Sequence, residues 1–505
     1  LTRTAKRGPL AVAAADDTAT GVDPRRWLAL GVIAIAQLMV VLDASIVNIA
    51  LPSAQRDLGI TDADRQWVIT AYTLAFGGLL LLGGRIADFV GRKRTFIIGL
   101  LGFAGASALG GLASNAGLLF SARALQGAFG ALLAPAALSL ITVTFTAPKE
   151  RARAFGVFGA IAGGGLAIGL ILGGVLTEYA SWRWCLGVNV PIAVLTALAA
   201  VPIVKESRAH GDTRYDVPGA VLATAGLVSL VYGFTQAAKP NVGWLAPSTL
   251  SFLIGAVALL VAFVMLEARR RNPLLPLRVA LDRNRGGSYL AFLLVGAGLF
   301  AMFLFLTFYF QSVLHYSPLR AGFAFLPFSA GIIVTAGVVS QLLPRIGPKP
   351  LMVGGLLGAT LGMLYLLLIT PTTSYVTHVL PAEIVLSVGL AAVFIPASST
   401  ALVGVSPHDA GVASALLNTC QQIGGSLGTA LLNTLYASAV TGYLASHATS
   451  PAQAAQLTPD AWVHGYHVAF FWGAMLLATS LAVVIIFINA RKDDIPADSG
   501  LAAAA

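Results

Sequence analysis

Apolar residues in this chain come in continuous blocks of about twenty, parted by short polar stretches, and not in the alternation expected of strands. A helix of about 20 residues crosses the roughly 30 Å hydrocarbon core of a bilayer. Fourteen such blocks predict helices at about 27–51, 67–87, 94–114, 117–143, 154–178, 184–204, 216–236, 249–267, 288–312, 320–343, 350–369, 377–404, 411–440 and 464–490. Ser, Thr, Asn and Gln interrupt the blocks at 216–236 and 411–440. The expected fold class is an all-α membrane protein of about 14 transmembrane helices. A transmembrane β-barrel would show short alternating segments, and the continuous Leu-, Ala- and Gly-rich blocks argue against it.

Composition agrees. The chain has 505 residues, 57% hydrophobic and only 10% charged, with mean hydropathy +0.83. A soluble chain carries roughly 25% charged residues, so this one lacks the polar surface to stand in water and needs the lipid bilayer as its partner. The block at 27–51 is too long for a signal-peptide core and reads as a retained first helix. Cys185 and Cys420 form no disulfide or metal pattern.

The net charge of +10 invites a nucleic-acid partner, but its placement argues for topology. With the N-terminus in the cytoplasm, 25 of the 31 Lys and Arg fall on the cytoplasmic side, at the N-terminus and at 85–94, 149–153, 205–214, 269–285, 345–349 and 491–492. Arg56, Arg65, Arg183, Lys239 and Arg320 fall outside, and Arg123 lies within a helix. Positive loops stay cytoplasmic, so both termini are expected inside, the high charge needs no nucleic acid, and the outer basic residues are read as loop residues.

Gly91-Arg-Lys-Arg-Thr-Phe-Ile-Ile-Gly-Leu-Leu-Gly102 matches Gly347-Pro-Lys-Pro-Leu-Met-Val-Gly-Gly-Leu-Leu-Gly358, and Pro148–Gly169 matches Pro407–Gly428 more weakly. The offsets are 256 and 259 residues. Repeated halves around a central path are a recurrent transporter plan. The expected organisation is a cytoplasmic tail at 1–26, a six-helix half at 27–204, two inserted helices with cytoplasmic linkers at 205–287, a second six-helix half at 288–490 and a cytoplasmic tail at 491–505.

Ionisable groups inside a bilayer are costly and tend to mark function. Asp43 lies in the outer third of the first helix, with Asn48 at about the same depth. A carboxyl in such a site can exchange a proton or attract a cationic substrate. Glu383 lies early in its helix near the outer surface, where it either faces the path or sits in water. Arg123, in the stretch Leu119–Gly127 with Gln126, stays charged and is suited to holding a carboxylate or backbone carbonyls. In the short loop around Asp88, Gly84 permits close helix approach and Gly91 a tight turn. Asp88 there has Arg85, Arg92, Lys93 and Arg94 about it and can pair with one of them or with a helix N-terminus, as a conformational gate. Gly165, Gly169, Gly173 and Gly174 put small residues on one helix face for close packing.

Other signals carry less. Gly296–Ala301 fits GxGxxA but lies within an apolar block, and the absence of a Gly-Lys dipeptide excludes a Walker A loop. No His forms HExxH, so no metal or cofactor is expected, and no paired catalytic set suggests an enzyme. The Phe-rich stretch 300–310 is read as lipid-facing bulk in preference to a pocket lining.

These motifs resemble the Major Facilitator Superfamily. The Asp88 loop is similar to its signature between helices 2 and 3, and Leu119–Gly127 to its helix-4 motif, with Arg123 in the arginine position. Leu42–Pro52 resembles the first-helix motif of the fourteen-helix drug:proton antiporter branch, with Ser45 in place of the usual Thr. Trp182-Arg183-Trp184 with Asn189-Val190-Pro191 resembles that branch's helix 5–6 junction. Two positions depart. Gly169-Leu170 stands where the antiporter motif has Gly-Pro, which removes a proline bend, and Pro344 stands opposite Asp88 in the second copy of the loop. The resemblance implies a monomeric carrier in the bacterial inner (cytoplasmic) membrane. It would export amphipathic drugs or antibiotics against protons by alternating access, with Asp43 and also Glu383 in the proton step. A carrier of another small solute, such as an amino acid, a siderophore or a self-made antibiotic, shares the same fold.

Overall fold

The computed structural model describes residues 25–208, 216–239, 242–270, 273–405 and 410–494. The tails at 1–24 and 495–505, parts of the linkers at 209–215 and 271–272, and Pro407 at the start of the weaker repeat lie outside the described residues. Fourteen long helices follow one another: α1 (Arg26–Leu58), α2 (Trp67–Val90), α3 (Arg92–Gly111), α4 (Ala116–Thr144), α5 (Pro148–Tyr179), α6 (Trp184–Ile203), α7 (Val217–Ala237), α8 (Pro247–Arg269), α9 (Arg283–Val313), α10 (Pro318–Ile346), α11 (Pro348–Leu368), α12 (Tyr375–Thr400), α13 (Ala410–His447) and α14 (Pro451–Phe487). Among the described residues no strand occurs. Among the described residues, thirteen helices are long and apolar enough to cross a membrane. The other, α13, is a 38-residue helix with Ser, Thr, Asn and Gln along its length.

Local sequence explains many of the boundaries. Pro148, Pro247, Pro318, Pro348 and Pro451 stand in first turns, where their missing N–H would be unpaired anyway. Asn115, Asp216, Ser317 and Ser450 accept a backbone N–H at the starts of α4, α7, α10 and α14. The weakest agreement is in the last hairpin. Helix α14 begins at Pro451, thirteen residues before the expected 464, and α13 runs on to His447. At about 1.5 Å per residue both exceed the thickness of a bilayer core. Their polar ends continue as helix, and hydropathy alone does not register them.

Packing repeats along the chain. Among the first six helices, α1 lies against α5, α2 and α3 against α4, and α3 against α6. Among the last six, α9 lies against α13, α10 and α11 against α12, and α11 against α14. The two sets meet through α2 with α13 and α5 with α10. Helices α7 and α8 form a hairpin whose α7 touches both α2 and α13. The repeat also shows in the backbone. Gly91 and Gly347, matched in the sequence, open α3 and α11 at φ 121° and φ 88°, a region that residues with a Cβ rarely adopt.

The Phe-rich stretch corrects an expectation. Phe303, Phe305, Phe308 and Phe310 are buried in the core and do not face lipid. Helix α9 is enclosed by α13, α14, α12 and α1. A helix apolar on every face carries no sequence signal of which neighbours surround it.

Candidate functional site

Asp43, on α1, is fully buried and held from two helices. Its Oδ2 accepts from Arg123 Nη1 at 2.6 Å, and its Oδ1 from Gln126 Nε2 and Asn189 Nδ2, both at 2.9 Å. Arg123 also donates from Nε to Val68 O at 2.9 Å and from Nη1 to Gln126 Oε1 at 2.8 Å, while its guanidinium lies 4.5 Å from the centre of the Tyr72 ring. Gln126 Nε2 reaches Ser107 Oγ at 2.7 Å. One carboxylate thus ties together α1, α2, α3, α4 and α6. Arg123 and Gln126, three apart, sit on one face of α4, which is what brings both donors to the same acid. Asn189 opens the second of two helical pieces of α6, Trp184–Gly187 and Asn189–Ile203. A buried charge costs little only when paired and hydrogen-bonded, and Asp43 has both. In the sequence Asn189 enters only through the helix 5–6 junction motif and Ser107 not at all, because neutral polar residues are common in such helices and neither forms a spacing pattern with Asp43.

The other two polar candidates lie outside this network. Asn48 Nδ2 donates to Ala44 O of its own helix at 3.0 Å, and its buried Oδ1 has no partner among the described residues. Glu383 does not sit in water: it is 0% exposed, on α12 in the other six-helix set. Its Oε2 accepts from Tyr375 Oη at 3.3 Å, and its Oε1 has no donor among the described residues. Tyr375 supplies the cover that the sequence did not show, because it belongs to a π-turn opening the helix eight residues earlier.

In the α2–α3 turn, Asp88 Oδ1 accepts from Arg92 Nε at 3.2 Å and Nη2 at 2.9 Å. The N-terminus of α3 is capped from elsewhere. Glu206, in the stretch after α6, accepts from Lys93 N at 3.1 Å and Arg94 N at 3.2 Å, and its carboxyl fills the space beside Gly91. Lys93 Nζ donates to Val201 O at 2.6 Å. The close helix approach falls one residue earlier than expected. A Cβ on Gly84 would meet Pro135 at an ordinary 3.6 Å, whereas one on Gly83 would overlap the Ala131 carbonyl. Adjacent glycines lie about 100° apart around a helix, so the sequence alone does not choose between them.

The glycines of α5 do share a close face. A Cβ on Gly165 would lie 2.9 Å from Val41, one on Gly173 2.9 Å from Ile46 O, and one on Gly169 would overlap Ser45 Oγ, all on α1. Gly174 faces α10 instead, 2.6 Å from Leu319 Cα. Helix α5 is continuous through Leu170.

One residue read as belonging to an outer loop is buried. Arg65 is 2% exposed, between the two sets of helices. Its Nε donates to Asn433 Oδ1 at 3.0 Å, and its guanidinium lies 4.0 Å from the Phe308 ring and 4.5 Å from the Tyr436 ring. Further bonds join the sets toward this end: Gln311 Nε2 to Ile49 O at 2.9 Å, Leu319 N to Glu178 Oε2 at 3.0 Å, and Thr73 Oγ1 with Ser426 Oγ at 2.5 Å. The two sets are therefore closed on each other here.

Comparison with known proteins places this arrangement. The family model described as Major Facilitator Superfamily matches residues 33–429. The puromycin resistance protein pur8 of Streptomyces alboniger is 53% identical over 471 residues, 92% of each chain. The cephamycin export protein CmcT of Amycolatopsis lactamdurans is 40% identical over 432 residues, 85% of this chain and 87% of that one. The tetracenomycin C resistance and export protein of Streptomyces glaucescens is 35% identical, over 84% of this chain and 78% of the relative. Among solved structures, a bacterial homologue of the human lysosomal transporter Spinster, inward-facing and unoccupied, aligns with TM-score 0.67 at 16% identity, covering 94% of this chain and 99% of that one. With family model, relatives and fold in agreement, this multi-pass membrane chain is a carrier and not an enzyme, and it belongs to the Major Facilitator Superfamily on its fourteen-helix branch.

Proposed function

We propose that this protein is a proton-coupled exporter of an amphipathic antibiotic in the bacterial cytoplasmic membrane, with both termini in the cytoplasm. The observation that carries the coupling is the buried Asp43–Arg123 pair, 2.6 Å apart, with Gln126 and Asn189 completing the carboxylate's shell. A proton delivered to Asp43 cancels the charge that holds Arg123, Gln126 and Asn189 together, while Arg123 keeps Val68 O and Gln126 Oε1. Packing among five helices then changes as a unit. Each proton moving inward contributes about 2.3 kcal/mol per 100 mV of membrane potential. The two halves, 27–204 and 288–490, rock about the path between them, and the contacts around Arg65 close its outer mouth. The α2–α3 turn with Asp88, Arg92, Lys93 and Arg94 is the gate element on the cytoplasmic side.

The substrate class rests on the relatives. Their names specify puromycin, cephamycin and tetracenomycin C. This favours an exporter of an antibiotic over a carrier of a nutrient. The test is efflux of puromycin and of a cationic dye from energised cells, comparing wild type with Asp43→Asn, with and without a protonophore. Efflux by the wild type that stops with the protonophore and is lost in the variant at equal expression supports the reading. Efflux that survives the protonophore removes proton coupling, and normal efflux by the variant removes Asp43 from it.

A further inference from the structure

The two inserted helices carry buried carboxyls for which the transport reading has no use. Asp216 stands immediately before α7 and Glu267 in the last turn of α8, 5% and 2% exposed. One oxygen of each is accounted for. Asp216 Oδ1 accepts from Gly219 N at 2.9 Å and lies 3.8 Å from Arg270 Nε. Glu267 Oε2 accepts from Leu275 N at 2.8 Å, in the stretch that leads on toward α9. The other two, Asp216 Oδ2 and Glu267 Oε1, are buried and have no donor among the described residues. Both press on the same spot: a Cβ added to Gly219 would lie 2.9 Å from the first and 2.5 Å from the second. A side chain at position 219 would crowd both carboxyl oxygens.

An ionised carboxylate only accepts hydrogen bonds, and two of them facing each other at a buried spot without a donor repel. One proton resolves both problems. It turns one oxygen into an O–H donor toward the other, and it leaves one negative charge on the pair, opposite the guanidinium of Arg270, the cation set against it among the described residues. We infer that Asp216 and Glu267 form a proton-binding pair, with one proton held between Asp216 Oδ2 and Glu267 Oε1. The site joins the start of α7, the end of α8 and the stretch toward α9. It is separate from Asp43 and Glu383 and does not depend on which substrate is carried. When the proton leaves, the repelling carboxylates move apart, and Glu267 loosens its hold on Leu275.

The test uses the full chain in lipid nanodiscs and follows the infrared C=O stretch of protonated carboxyls across pH. In wild type a one-carboxyl component is expected that disappears in Glu267→Gln. It shifts in Asp216→Asn, where an amide replaces its partner oxygen. Gly219→Ala keeps both carboxyls but wedges a methyl between them, and is expected to shift the component as well. Hydrogen exchange at 273–276, corrected for the intrinsic rate, should rise in wild type as the component is lost and stay level in Glu267→Gln. Spectra of Glu267→Gln and Gly219→Ala that superimpose on wild type, with the protein folded and monodisperse, would overturn the proposal. So would loss of the component on adding magnesium chloride alone, which would make the pair a cation site.

Discussion

Arg65 and Asn433 are 368 positions apart in the chain and 3.0 Å apart in the fold, joined by a bond from Arg65 Nε to Asn433 Oδ1. Asn433 Nδ2 returns a bond to Asp62 O at 2.8 Å. A transporter that opens at this end must pull the guanidinium away from Asn433, Phe308 and Tyr436 together. Asn433→Ala leaves Arg65 Nε unsatisfied in the closed form, at a cost of about 1–3 kcal/mol. That is roughly a fivefold to hundredfold shift toward the open form, at about 1.4 kcal/mol per factor of ten. Spin labels at the exposed positions Arg56 and Ala445 report it. The distance distribution should lengthen in Asn433→Ala, and an unchanged distribution would show that the contact does not set the equilibrium.

Replacing Arg123 by lysine keeps the charge and is expected to abolish export. Arginine reaches Val68 O with Nε while Nη1 reaches Asp43 and Gln126. A single ammonium cannot occupy both ends of that fork. We expect at least a tenfold loss of efflux at equal expression, with thermal stability reduced less than in Arg123→Ala. Alanine strands the Asp43 charge, and breaking a buried pair in this way costs about 3–5 kcal/mol. Efflux by Arg123→Lys at the wild-type rate would reduce Arg123 to a neutralising charge.

The glycines of α5 can be separated by substitution. Nothing lies within 4 Å of a Cβ on Gly164, whereas one on Gly173 would sit 2.9 Å from the Ile46 carbonyl oxygen on α1. Gly164→Ala should leave the melting temperature unchanged or raise it, since alanine is preferred to glycine in a helix by up to about 1 kcal/mol. Gly173→Ala forces α1 and α5 apart, and overpacking of this kind costs about 1–3 kcal/mol. Thermal unfolding followed by size exclusion distinguishes them. Equal melting temperatures would mean that the α1–α5 contact yields without cost.

Much of this architecture is legible in the sequence because membrane crossing imposes a length and a polarity on each helix. The repeat was visible at Gly91 and Gly347 because a positive φ demands the same residue twice. Asp43 and Arg123 stood out because charges within apolar blocks are rare. What stayed hidden depends on neighbours distant in sequence. Arg65 looks like a loop residue until Phe308 and Tyr436 cover it. Asn189 and Ser107 are ordinary polar residues until Asp43 and Gln126 reach them. The Phe-rich stretch gave no sign that α9 is an inner helix. Ends that continue as polar helix, such as the 451–463 segment of α14, fall outside any hydropathy window.

Glu383 offers the sharpest separation of structure from function in the second half. It is fully buried, its Oε1 has no partner among the described residues, and Tyr375 Oη also donates to Ala324 O at 2.7 Å. The Tyr375 ring in turn packs on Phe310, with centroids 6.0 Å apart. A charge in such a place needs partners that are missing here, so a neutral side chain of the same shape fits at least as well. Glu383→Gln is therefore expected to unfold at the wild-type temperature or above. Glu383→Ala, which leaves a cavity, should unfold lower. If the carboxyl takes a proton or a cationic substrate when the Arg65 end opens, Glu383→Gln loses at least tenfold in efflux despite its stability. A stable Glu383→Gln that exports at the wild-type rate would assign the residue to packing and leave Asp43 as the coupling carboxylate.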